Sequence, residues 1–269
     1  MIGSSRASMA TVDETVAAAY DNPDLEQAGR DLLQVADLVG REKPLRNALA
    51  DAGRPAAERA GLLTDLLGTQ ICPLALDISS IIASQRWSSA SDLVDAYEHA
   101  GVSALFGAAE RQEQLDRVED ELFRFGRITE SDADLQLALS SPALSTATKT
   151  GILADLLSGQ VSPATLDVLS FVTSHLRGRR LDQAVDQMVD LAAQRRGRLV
   201  ATVRVAKPLE GDQEQRLTAA LERIYQQHMS VNVEIVPALV GGITVQVGDE
   251  VFDGSISARI DNARRRVTG

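Results

Sequence analysis

The chain has 269 residues, a formal net charge of −11, 44% hydrophobic residues and only 3% aromatics. That length allows one large domain or two to three small ones, and plentiful Ala and Leu with few aromatics favour helices packed by aliphatic side chains. The acidic balance disfavours nucleic acid and anionic lipid as partners, and a single cysteine, Cys72, excludes an internal disulfide framework.

The first predicted helix covers about residues 5–20, and Asp21-Asn22-Pro23 breaks it, because proline restricts the residue before it. It follows no apolar leader run, so no secretory signal is read there. From Asp24 the spacing of Leu25, Ala28, Leu32, Val35 and Leu38 is helical, with Gly40 placed as a C-terminal cap. A short helix is expected over residues 43–50 around Leu45 and Leu49. After the Gly53-Arg54-Pro55 turn comes another, with Leu62, Leu63, Leu66 and Leu67 inward. Residues 73–84 form the next. Cys72, just before it, reads as a small buried hydrophobe rather than a catalytic thiol, since His99, His175 and His228 share no spacing that suggests one site.

A shift of 90 positions aligns the chain with itself. GLLTDLLGTQICPLALDI at Gly61 lines up with GILADLLSGQVSPATLDV at Gly151, and 11 of the 24 positions in residues 61–84 are identical to their partners. Unrelated chains of this composition would share roughly two. Leu25 pairs with Leu115, Leu32 with Leu122, Leu45 with Leu135 and Leu49 with Leu139. The unit is a bundle of several short helices present twice, a duplicated domain rather than a solenoid of shorter repeats.

Between the copies, residues 89–125 read as one long helical stretch, weakened by Gly101 and Gly107 and ended by Gly126, whose first half closes copy one and whose second half opens copy two. Asp116, Glu119, Asp120 and Glu121 read as a solvated helix face. Ser162-Pro163 starts a helix, Ser as N-cap and Pro at the first helical position. RGRR, residues 177–180, reads as a solvated turn. Residues 181–196 form a helix with Val185, Met188, Val189 and Ala192 inside.

The period then changes. Ala201, Val203 and Val205 alternate with Thr202 and Arg204, a first strand. Residues 208–228 read as a helix with Leu217, Leu221 and Ile224. Val231, Val233 and Ile235 alternate with Asn232 and Glu234, and Ile243, Val245 and Val247 with Thr244 and Gln246. Pro237 and the pair Gly241-Gly242 turn the chain between these two strands. Gly248-Asp249 is a second turn before Glu250-Val251-Phe252. Asp253-Gly254-Ser255 then stops the sheet and opens a helix with Ile256, Ile260, Ala263 and Val267 on one face and Arg259, Arg264, Arg265 and Arg266 off it.

The GG turn, the alternating strand, the GDEV hairpin and DGS before an Arg-rich helix resemble the C-terminal signature of the delta subunit of F-type ATP synthases, whose mitochondrial counterpart is the oligomycin-sensitivity-conferring protein. SALFGAAERQEQLDRVEDELFRF, residues 103–125, resembles the opening helix of the same family. The resemblance implies a non-catalytic stator subunit, with no cofactor, that ties the catalytic head to the peripheral stalk. Its helical bundle would grip N-terminal segments of the α subunits, and its C-terminal module the C-terminal region of subunit b. It also implies a place at the cytoplasmic face of the cell membrane, peripheral and without direct insertion. The extra bundle departs from the ordinary one-bundle pattern and looks like the longer delta chains of high-GC Gram-positive bacteria.

The expected fold is therefore mainly α: two tandem short-helix bundles, residues 1–100 and 101–197, and a small C-terminal α/β module, residues 198–269. Leu105 and Phe106 on the opening helix, with Val168 and Phe171 on the Pro163 helix, are the candidate groove residues for an amphipathic helix in copy two, the alternative for each being a place in the core. Gly241, Gly242 and Gly254 are expected to shape the surface offered to the stalk or to serve only as turn residues, and Arg259 is a further expected partner-binding residue. No phosphate loop, zinc motif or nucleophile elbow occurs. Asp249, Glu250 and Asp253 are too few oxygens for a calcium loop and read as a charged hairpin tip. The alternative function is a stand-alone helical-repeat adaptor for an unrelated protein.

Overall fold

The computed structural model describes residues 3–195, 198–209, 211–225, 228–236, 239, 241–247 and 250–253. They divide into two compact units, Met1–Ala192 and Ala193–Gly269. The first is helical. α1 (Ser4–Ala18) precedes α2 (Leu25–Arg41), α3 (Lys43–Ala50), α4 (Ala56–Leu67) and α5 (Pro73–Ser84). α6 (Ala90–Arg111) is followed by α7 (Leu115–Ser131), α8 (Ala133–Ser140), α9 (Thr146–Leu157), α10 (Pro163–Ser174) and α11 (Leu181–Arg195).

The duplication is written into the helix bounds. Adding 90 to the ends of α2, α3, α4 and α5 gives the ends of α7, α8, α9 and α10. The same shift sets α1 on the middle of α6, and sets α6 on α11 from their first turns. α6 is thus both the last helix of the first repeat and the first helix of the second. One continuous apolar core runs from Val12 to Ala192, with Tyr97, Leu105 and Phe106 of α6 wholly buried at its centre.

Three local expectations give way to this packing. The stretch 89–125 is two helices, because α6 ends on Glu113 in the left-handed region (φ 58°), where the Gln114 N–H reaches back to Ala109 O at 2.8 Å. This is the geometry glycine usually supplies. Here Arg111 Nη1 secures the turn, donating to Tyr20 O (3.1 Å) and Asn22 O (2.6 Å). Gly126 lies inside α7 instead of ending it. Gly40 likewise stays within α2: Arg46 Nη1 takes up the Gly40 carbonyl (2.5 Å), so no left-handed cap is needed.

The second unit holds β1 (Arg198–Val205), α12 (Gly211–Tyr225), β2 (His228–Ile235), β3 (Ile243–Val247) and β4 (Glu250–Asp253). The sheet order is β2-β1-β3-β4. β1 and β2 run parallel, joined by the α12 crossover as parallel pairing requires, and β3 returns antiparallel to β1. The two strands flanking Gly241-Gly242 are therefore not a hairpin; β1 lies between them. Ala201, Val203 and Val205 on the central strand, with Val245 and Val247 beside them and Leu221 of α12, make a separate small core. The expected terminal helix, with Gly254 and Arg259, lies outside the described residues.

Candidate functional site

Each repeat is fixed by the same two buried charges. In the first, Asp31 Oδ2 of α2 accepts the backbone N–H of Cys72 at 2.7 Å, capping the start of α5. Ninety residues on, Glu121 Oε2 of α7 accepts the N–H of Ser162 (2.8 Å) and the hydroxyl of Thr165 (2.6 Å), capping α10. Burial raises the Glu121 pKa, but these donors and Arg117 outweigh it and hold the carboxyl below its usual range. At the other end of α5, the buried Arg59 donates to the carbonyls of Leu49, Ala83, Ser84 and Gln85. In the second repeat the same place is taken by Lys149, whose Nζ donates to Thr173 O at 3.0 Å and whose pKa burial lowers. A helix end whose orphan carbonyls meet a buried cation needs no water. Glu119 and Glu121 thus face inward rather than solvent.

The RGRR segment is tied down as well. Arg177 pairs with Asp95 (2.7 Å) and with Glu98, and Arg179 Nη2 lies 2.9 Å from Glu98, a carboxylate of α6 that is only 4% exposed. Two arginines on one buried glutamate fasten the α10–α11 turn to α6, while Arg177, Gly178 and Arg180 stay exposed as a solvated turn would have them.

The expected groove residues of copy two are Leu105, Phe106, Val168 and Phe171; the first three are fully buried and Phe171 is 9% exposed. The structure brings them into one core, and α2 packs on α6 at Leu105. At the crossing, a Cβ added to Gly29 would stand 2.8 Å from Leu105 Cγ and 3.0 Å from Gly101 O, and one on Gly101 would stand 2.8 Å from Leu33 Cδ2. Only two glycines let backbones approach so closely. α2 runs along α6 from Glu26, hydrogen-bonded to Gln112, to Gly40, set against Val94. On its other flank Arg30 Nε meets Asp167 of α10 at 2.7 Å, and Asp37 meets His175 Nε2 at 2.9 Å. The His175 ring stacks on Phe171 (4.3 Å between centroids) and its Nδ1 lies 2.8 Å from Phe171 O. A helix of the first repeat therefore packs along α6 and is tied to α10 by two side-chain pairs.

Sequence reasoning missed Gly29, Arg30, Asp37 and Glu98, which contact residues far along the chain. The four buried charges had a legible signal: Asp31 falls on Glu121 and Arg59 on Lys149 under the 90-residue shift.

In the second unit, Gly241 and Gly242 have φ of 112° and 89°, so both need glycine. They border a cleft of about 730 Å³ lined also by Val205, Leu209, Leu217 and Ile243. The cleft opens at the ends of β1 and β3 beside the start of α12. Its walls are apolar, with Lys207 at the rim, a lining suited to an apolar protein segment. Glu250 accepts a hydrogen bond from Tyr225 (2.8 Å). Among the described residues no cluster of His, Cys, Asp and Glu could hold a metal ion, and no helix is long and apolar enough to cross a membrane.

The family model described as "ATP synthase delta (OSCP) subunit" matches residues 102–267, from the middle of α6 onward. A curated ATP synthase subunit delta of Streptomyces griseus is 40% identical over 271 residues, covering all of both chains. One of Thermobifida fusca is 39% identical over 269 residues, again covering all of both. One of a Parafrankia species is 42% identical over 91% of this chain and 88% of its own. A chain in the cryo-EM structure of the Toxoplasma gondii mitochondrial ATP synthase hexamer aligns at 22% identity with a TM-score of 0.42, over 64% of this chain and 97% of that one.

Proposed function

Because the chain belongs to the ATP synthase delta (OSCP) subunit family, we propose that it is the stator component that ties the α3β3 catalytic head to the peripheral stalk, and so couples proton flow to ATP synthesis. It contributes no catalytic step itself. Its helical unit grips N-terminal segments of the α subunits, its C-terminal module grips the C-terminal region of subunit b through the Gly241-Gly242 cleft, and the complex carries it at the cytoplasmic face of the cell membrane. The observation that supports this most directly is the close packing of α2 on α6. α6 already takes a helix, α2, against its face by a close glycine crossing, and charge pairs tie α2 to α10, so the unit packs helices of the kind an α-subunit segment would supply. Membership of the family leaves no role for the stand-alone adaptor.

The test is depletion of this chain from inverted membrane vesicles and its return. Without it, ATP hydrolysis by the head should continue while ATP-driven acidification of the vesicles is lost, and adding the purified chain should restore it. Acidification that survives complete depletion would overturn the reading.

A further inference from the structure

The buried cation at the end of α10 is less fully used than its counterpart at the end of α5. The Arg59 guanidinium meets four carbonyls. Lys149, in the same place 90 residues on, meets Thr173 O alone, at 3.0 Å. An ammonium carries three N–H donors, so two are left over. Among the described residues no carboxylate pairs with it, although it is buried. The neighbouring serine shows the same contrast. In the first repeat Ser84 donates to Ser80 O (2.8 Å). In the second, Thr173 stands where the first has Ala83, and its hydroxyl goes to Leu169 O (2.7 Å) and Ser170 O (3.4 Å). Ser174 Oγ is buried and has no hydrogen-bond partner among the described residues. Buried charges are ordinarily paired and buried hydroxyls ordinarily bonded; here one of each falls short.

Both groups line an open cleft of about 750 Å³ between α8, the start of α9 and the α10–α11 turn. Among the described residues its lining holds no carboxylate and three further cations, Arg177, Arg179 and Arg180. Those three are matched by Asp95, Glu98 and Asp182, so the surplus charge is that of Lys149. The wall also includes Leu137, Pro142 and Leu176, and Leu137 is 71% exposed. The first repeat has Asn47 and Arg86 at the positions of Leu137 and Leu176. The lysine and the apolar wall therefore occur together in the second repeat alone.

We propose that this cleft binds a monocarboxylate carried on an apolar body. The carboxylate accepts from the two spare N–H donors of Lys149 and from the hydroxyl of Ser174, and the body lies on Leu137, Pro142 and Leu176. One negative charge is the right number, because one cation is unmatched. A phosphate dianion would bring a second charge that no free group of the cleft answers. The same chemistry is offered by a free aliphatic acid and by a glutamate within an apolar peptide segment, and the experiment separates the two.

Leucine-methyl spectra of the full-length chain are followed as sodium octanoate is added below its micelle-forming concentration, and in parallel with octanol and with inorganic phosphate. A second series uses the capped peptide acetyl-Ala-Leu-Glu-Leu-Ala-amide and its glutamine version. Octanoate, the glutamate peptide or both should shift the Leu137 and Leu176 methyls saturably. Octanol, phosphate and the glutamine peptide should bind at least tenfold more weakly. The tighter of the two carboxylates identifies the source, a free acid or a protein segment. Lys149→Met should weaken binding at least tenfold and Ser174→Ala at least threefold. If Lys149→Met fails to fold, Leu137→Asp, at an exposed position, takes its place, since a carboxylate on the wall should abolish binding. No shift at Leu137 from either carboxylate would overturn the proposal. So would octanol or phosphate binding as tightly as octanoate, or affinity unchanged in both Ser174→Ala and Leu137→Asp.

Discussion

At Gly29 and Gly101 the decisive property is the side chain that is missing. Gly101→Ala would bring a Cβ within 2.8 Å of Leu33 Cδ2 and 3.0 Å of the Gly29 carbonyl, and the carbonyl belongs to a backbone that cannot turn aside. Overpacking of this kind costs about 1–3 kcal/mol, so urea unfolding of Gly101→Ala should show a lower midpoint at unchanged slope. Gly242 is a different case, held at φ 89° by its turn. Gly242→Val should cost roughly 1–3 kcal/mol locally while the helical circular-dichroism signal persists, and on the proposed function it should weaken assembly with subunit b. Glu121 sets an acid limit. Its folded pKa lies below the unfolded value, so its contribution is full above the ordinary carboxylate range and is lost as pH falls through the depressed folded pKa. Glu121→Gln should therefore be less stable than the parent near neutrality by about 1–2 kcal/mol, and the two should converge in acid, as denaturation followed from pH 7 to pH 2 would show.

Among the elements, those whose signals are local were legible in the sequence. Pro73 and Pro163 marked helix starts, alternation marked β1 and β3, and the bounds of α3 and α5 could be read directly. What could not be read was decided by partners far along the chain. Nothing between Arg111 and Leu115 is a glycine or a proline, yet α6 ends there because Arg111 finds carbonyls of the α1–α2 connection. β1 separates β2 from β3 because strand order is a tertiary choice that alternation does not encode. Leu105 and Phe106 are on the helix expected of them, but sequence spacing could not reveal that α2 would cover that face. Arg59 and Lys149 illustrate one element solved twice. Arg59 serves four carbonyls and Lys149 one. Arg59→Ala should thus cost more than Lys149→Ala, by about 1–3 kcal/mol for the extra unpaired carbonyls, measured as a difference between the two melting curves.

For the helical unit as a whole, the continuous core across both repeats predicts that it unfolds as one body. Calorimetry should give a single transition for the helical signal, with no separate melting of residues 1–89; two resolved helical transitions would contradict this. Sharing α6 also has a mechanical consequence. A linker between two bundles would be a soft joint, bending under side loads at little energetic cost. Here the joint is a 22-residue helix, about 33 Å of hydrogen-bonded rod, clamped by α2 along its length and by two arginines at Glu98. To flex one repeat against the other, the molecule must bend that rod or break those contacts. The duplication therefore lengthens the helical unit without adding a hinge, so a sideways force on one repeat is passed to the other as shear across a packed interface, with little compliance to store or waste it.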